Sequence, residues 1–235
     1  MGKRESTISH GIYLVGRNRM KRSLSILVFL ASVAGLFAQD LVLPRPAQKA
    51  GIDLLAAIQN RRVSKVFIKK TAEVADLSTI LWAGIGQRGA DAVSSATKAG
   101  RTISFSGDNA YINAYVLNDK GTWKYLPDTN TLKQVSANDS RAEVSRAAQP
   151  GAAFMILFTV DTALTPSFLK ANPALFLQMA HATAGFSAQN MELTASALKM
   201  AAVVQYTLAP AAATTAAALT KDEIPLFIMQ VGYTE

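Results

Sequence analysis

Residues 53–67 read DLLAAIQNRRVSKVF, an apolar stretch that runs into a basic cluster and then into a β-branched, aromatic tail. Ile52, Leu55, Ala56 and Ile58 recur at roughly helical spacing and Asn60 is a natural stop, so a short amphipathic helix is expected with Arg61 and Arg62 at its end. Lys65 and Phe67 then share one side of an extended segment. Cations gathered this closely beside a turn can hold a phosphate dianion, because arginine offers paired, fork-shaped donors and lysine a mobile point charge. They can equally complement the negative end of the helix dipole and face solvent.

Downstream, Thr71, Glu73 and Asp76 form a helix start, and Leu77, Ile80, Leu81 and Ile85 supply its buried stripe. Trp82 reads as packing. Residues 86–100 are rich in Gly, Ala and Ser without periodicity and read as a loop. Tyr111–Leu117 and Thr122–Leu126 flank Asn118-Asp119-Lys120-Gly121, a hairpin whose glycine can take positive φ. A second turn at Pro127-Asp128-Thr129-Asn130 leads to Leu132–Val135. Residues 136–149 are polar enough for an exposed helix.

Ala152–Val160, AAFMILFTV, is a continuous apolar run of strand length, expected to be buried on both faces. Residues 173–200 form the longest helix, where Leu175, Met179, Ala182, Phe186, Gln189, Leu193, Ala197 and Met200 step by three or four. Only Glu192 and Lys199 are charged there, so burial nearly all round is expected, with alanines letting another backbone come close. His181 reads as a core histidine. Ala201–Leu208 and Leu226–Val231 read as strands, separated by an Ala/Thr-rich stretch at 210–218.

The pattern Arg61-Arg62-x-x-Lys65-x-Phe67, followed by Leu77-x-x-Ile80-Leu81-Trp82-Ala83-x-Ile85-Gly86, resembles the opening of the nitroreductase family of FMN-dependent oxidoreductases. Trp123-Lys124-Tyr125-x-Pro127, Gly185-x-x-x-Gln189-Asn190 and Val231-Gly232-Tyr233 are similar to later signatures of that family, so the resemblance spans Ile52 to Tyr233. It implies an α+β fold of three α/β/α layers, with a mixed, mainly antiparallel sheet flanked by helices and the long buried helix at a homodimer interface. It also implies FMN as cofactor and ping-pong transfer of hydride or electrons to or from an unidentified small organic substrate.

In that family the first basic cluster grips the FMN phosphate and ribityl chain, which assigns those roles to Arg61, Arg62 and Lys65. Gln189 and Asn190 would serve the cofactor and the subunit contact, or simply satisfy buried backbone groups. After Arg101-Thr102 the chain departs from the family. Ser104 stands at a proline, Phe105 at the flavin-contacting serine and Asp108 at the asparagine, while Val63 replaces a frequent serine. Phe105 cannot donate a hydroxyl hydrogen bond, so Ser104, Ser106 or Asn109 is expected to supply the polar contacts instead. The last residues, Val231 to Glu235, bring no cation to complete the phosphate site. These departures equally suit a flavin-free or weakly flavin-binding dimeric scaffold on the same fold. No catalytic side chain is singled out.

Lys21-Arg22 and the uncharged run Leu24–Ala38 have the layout of a secretory signal peptide, with cleavage expected near Ala38. Met20 directly precedes the basic pair, so the leader reads as either 1–38 or 20–38, ahead of one domain at 39–235. Export to the periplasm or medium is expected, without stable membrane insertion once the leader is removed; an uncleaved anchor is the alternative. Six of the 24 Lys/Arg but one of the 16 Asp/Glu lie in residues 1–38, so the formal charge of +8 falls to +3 for the remainder. That small excess gives no support to nucleic acid as a partner. Two histidines and no cysteine exclude a disulfide framework and argue against a metal centre. No Gly-x-Ser-x-Gly elbow supports a hydrolase.

Overall fold

Turn chemistry sets the centre of the sheet. Strand β2 (Ile112–Asn118) reverses into β3 (Gly121–Leu126). Gly121 takes φ +129°, and Asn118 Oδ1 accepts from the Lys120 N–H at 2.9 Å, so the expected hairpin forms with the expected glycine. β4 (Thr131–Ser136) follows a turn in which Asn130 sits at φ +48°. Its side chain compensates by accepting from Tyr125 OH at 2.9 Å and donating to the Pro44 carbonyl at 2.9 Å.

The computed structural model describes residues 40–49, 51–88, 100–107 and 109–235. The expected leader, most of the 86–100 loop and Asp108 therefore lie outside the described residues. Completing the sheet are β1 (Leu41–Val42), β5 (Phe154–Asp161), β6 (Ala201–Gln205) and β7 (Glu223–Gly232). The strand order is β1-β4-β3-β2-β5-β7-β6, and every pairing among these strands is antiparallel.

Five α-helices lie among the described residues: α1 (Leu54–Asn60), α2 (Val74–Ile85), α3 (Arg141–Val144), α4 (Pro173–Ala197) and α5 (Pro210–Ala216); α1 packs on α4, and the other four flank the sheet. The apolar run of β5 divides by parity. Phe154, Ile156, Phe158 and Val160 join Ile80, Leu81 and Met191 of α2 and α4, while Met155 and Leu157 join Val144, Ala213 and Ala216 of α3 and α5. The expected three layers result. α2 and α4 approach closely at Gly84, where a Cβ would collide with the Met191 side chain.

Several local expectations change. Residues 136–149 hold only the single turn α3, and the Ala/Thr-rich stretch contains a helix, Pro210–Ala216, with Pro210 in its first turn. The extended segment carrying Lys65 and Phe67 joins no strand; just beyond it, Ile68 makes an isolated bridge to Tyr233. Most consequential is α4. Phe176, Ala180, Ala184, Ala188 and Met191 are buried, yet Gln178, His181, Ala182, Gly185, Phe186 and Gln189 form an exposed stripe. Burial all round is thus corrected to burial on one side, because nothing among the described residues covers the other. His181 is exposed rather than core, its Nδ1–H donating to the Leu177 carbonyl at 2.8 Å.

Candidate functional site

Helix α1 starts at Asp53, whose Oδ1 caps the Ala56 N–H at 2.8 Å. Only Ala57 of this helix is buried; Leu54, Leu55 and Ile58 are 64%, 76% and 52% exposed, so the amphipathic helix turns its apolar face outward. It is tied to α4 from its other side, where Ser196 Oγ donates to the Ala57 carbonyl at 3.0 Å.

That tie places the basic cluster beside the second half of α4. Arg61 Nη1 lies 3.6 Å from Glu192 Oε2. Arg62 donates to the carbonyls of Gln59 and Arg61 at 3.3 and 3.2 Å, so it serves the end of the helix, the plainer of its two expected roles. Lys65 is exposed and makes no ion pair or hydrogen bond among the described residues. Gln189, one turn before Glu192, is exposed as well. Asn190 turns the other way and donates to the Ala83 carbonyl of α2 at 3.2 Å, which matches the backbone-satisfying alternative.

The polar group expected after Arg101 lies elsewhere. Phe105 is 8% exposed and meets Tyr111 edge-on with centroids 5.0 Å apart; Tyr111 meets Phe176 the same way at 5.1 Å. The Ser106 N–H reaches Tyr111 OH at 3.4 Å, and that hydroxyl pairs with Thr183 Oγ1 at 3.0 Å. The position where relatives carry a serine is therefore filled by core packing, while Ser104 and Asn109 are exposed. Arg101 itself is engaged by Gln87 Oε1 at 3.0 Å and Asp128 at 2.8 Å.

Within one chain the structure brings Arg61 and Gln189 to one region and Ser106 to another. Thr183 and Glu192 are nine residues apart on α4, roughly 13 Å of helix rise. The exposed stripe of α4 runs between them.

Glu192 is the residue that motif reasoning passed over. Its side chain is 10% exposed and its one ion pair, at 3.6 Å, is too long for a good hydrogen bond. Burial raises the carboxyl above its ordinary value, and the Arg61 charge opposes that rise. A lone acid in an otherwise uncharged helical stretch was the available signal.

The comparisons with known proteins agree with the fold. The model of the Nitroreductase family matches residues 58–233. A candidate nitroreductase from Ralstonia eutropha JMP134 superposes with a TM-score of 0.71 at 22% identity, covering 86% of this chain and 96% of that one. A second, from Anabaena variabilis, reaches a TM-score of 0.68 at 17% identity over 85% of this chain and 42% of its own. The NADPH:FMN oxidoreductase of Vibrio harveyi, solved with NAD+, gives a TM-score of 0.53 at 17% identity, covering 77% of this chain and 69% of that one. At these identities the solved structures bear on the fold alone. The comparison with curated proteins found no match.

Proposed function

The chain belongs to the nitroreductase family of oxidoreductases, and from that premise we propose that it is an exported, FMN-dependent oxidoreductase working as a homodimer. Arg61 and Lys65 hold the FMN phosphate, and Arg62 adds positive potential from the helix end. Ser104, Ser106 and Asn109 supply polar contacts nearer the ring, with Gln189 at the subunit contact and Asn190 behind the site, where it ties α4 to α2. When bound, FMN would supply the redox chemistry, a ping-pong transfer of hydride or electrons between a reductant and a small organic substrate.

The observation that carries the reading is the separation of the two half-sites along an uncovered helix face. Leu54, Leu55 and Ile58 of α1 and Phe186 of α4 are all more than half exposed, beside the basic cluster. A second copy related by a two-fold axis perpendicular to α4 runs its helix antiparallel to the first, which sets one chain's Arg61 end against the other's Ser106 end. Such an interface removes the exposed apolar side chains from water and completes the site from both chains.

The chain from Gln39 onward, purified with added FMN, is expected to elute as a dimer and keep absorption bands near ~370 and ~450 nm. Arg61→Ala with Lys65→Ala is expected to bleach it. The scaffold reading keeps specific support, because Phe105 is packed into the core and Glu192 already faces Arg61. A colourless dimer with no FMN affinity would establish that reading instead. Export is checked separately, by finding Gln39 as the N-terminus of the protein outside the cytoplasm.

A further inference from the structure

A cavity of about 360 Å³ opens between residues 69–77 and the β2–β3 turn, and none of Arg61, Arg62, Lys65, Ser104, Ser106, Asn109, Gln189 or Asn190 lines it. Its volume falls in the range of small-molecule sites, roughly 300–1,000 Å³. The floor is apolar, with Leu77, Leu132 and Phe154 8%, 1% and 2% exposed, and Trp123 forms a further wall.

The rim carries Lys69, Lys70 and Lys120 on backbone that is already held. The Ile68 N–H donates to the Tyr233 carbonyl at 2.9 Å, fixing the chain just before Lys69. Lys70 Nζ lies 4.1 Å from the centre of the Tyr233 ring. Lys120 sits in the hairpin turn closed by Asn118. Neither Lys69 nor Lys120 has an ion-pair partner among the described residues. Arg141 also lines the cavity, but Asp139 engages it at 2.7 and 2.8 Å and the Ala152 carbonyl at 3.0 Å, so its charge is spent locally. Among the lining residues two carboxylates, Asp40 and Asp119, stand against the three lysines, and Glu73 and Asp76 beside Tyr233 further offset Lys70. That balance suits a monoanion better than a phosphate dianion or a polyanion.

We propose that this cavity is a second binding site, separate from the redox centre, for a small organic monoanion with an aromatic or branched apolar body. Its carboxylate or sulfonate meets Lys69 and Lys120, and its body rests on Leu77, Trp123, Leu132 and Phe154. The arrangement follows the ordinary division of small-molecule sites, an apolar body pocket with a few polar groups fixing orientation.

The test uses 2-naphthoate and its neutral analogue 2-naphthamide, titrated calorimetrically into the full folded protein. Naphthoate is expected to saturate one site per chain and to change the tryptophan fluorescence in Trp82→Phe but not in Trp123→Phe. Lys69→Ala with Lys120→Ala, both at exposed positions, is expected to weaken naphthoate about tenfold and leave the amide unchanged. Ala153→Phe, which narrows the cavity, is expected to abolish binding of both. Absence of saturable naphthoate binding up to millimolar concentration, or equal affinity in the double-lysine variant, overturns the proposal. Since FMN is not used in any arm, the outcome is independent of the redox reading.

Discussion

Two buried glutamates face opposite circumstances in this fold. Glu223, at the start of β7, is a partnered charge: it accepts from Asn113 Nδ2 and Tyr115 OH at 2.9 Å each and from Lys124 Nζ at 3.2 Å. The network joins β2, β3 and β7, and burial together with the Glu223 charge pushes the Tyr115 phenol up. Glu192, on α4, has one ion pair at 3.6 Å and no hydrogen bond among the described residues. A buried carboxylate surrounded by donors is a structural clamp. One left short of donors, with a single cation 3.6 Å away, carries a burial cost that its surroundings do not offset.

The largest effect is expected at the clamp. Glu223→Ala strands a lysine and two further donors, and urea unfolding should show a loss of roughly 3–5 kcal/mol. A loss near zero would erase the contrast between the two sites. Next is Arg61→Ala, which removes the cation beside Glu192. Stability should fall by about 1 kcal/mol, while FMN affinity, followed by fluorescence quenching, should fall at least about tenfold.

Glu192→Gln separates the two roles most sharply. Removing the competing carboxylate frees Arg61, so FMN should bind about fivefold tighter, with little change in the unfolding midpoint. Unchanged affinity would reduce Glu192 to a packing residue. The smallest effect is the pH dependence. The folded-state value of Glu192 is raised, so between the ordinary and the raised value the folded chain binds more protons than the unfolded one. Stability therefore falls as pH rises through that window, and Glu192→Gln should flatten this part of the wild-type profile of Tm against pH.

Much of the fold was legible because its signals are local. The Asn118–Gly121 turn, the uninterrupted run of β5 and the long α4 each follow from periodicity and turn residues within one segment. What stayed hidden was relational. An apolar stripe on α1 shows amphipathicity, but nothing in Leu54, Leu55 or Ile58 says whether this chain or another covers them. The spacing that marked α4 as buried could not separate a core face from an uncovered one, and His181 fell on the wrong side for that reason. In the candidate site, the cations were visible as a cluster, whereas the diversion of Arg62 to the helix end depends on guanidinium geometry. Glu192 and Arg61 lie far apart in sequence, and no local pattern joins them.

The edge strand β1 sets a clock on synthesis. Leu41 pairs with Leu132, a partner that leaves the ribosome about 90 residues later. At ordinary elongation rates that is a wait of roughly 5–18 s, during which β1 has nothing to pair with and β4 does not yet exist. The hairpins of β2, β3 and β4 close among near neighbours, so the outermost strand is expected to be the last of this half of the sheet to be sealed. Any processing or tagging that disturbs residues 40–43 thus acts on a late step. The expected product is a folded chain with β4 uncovered, recognisable by edge-to-edge association rather than by unfolding.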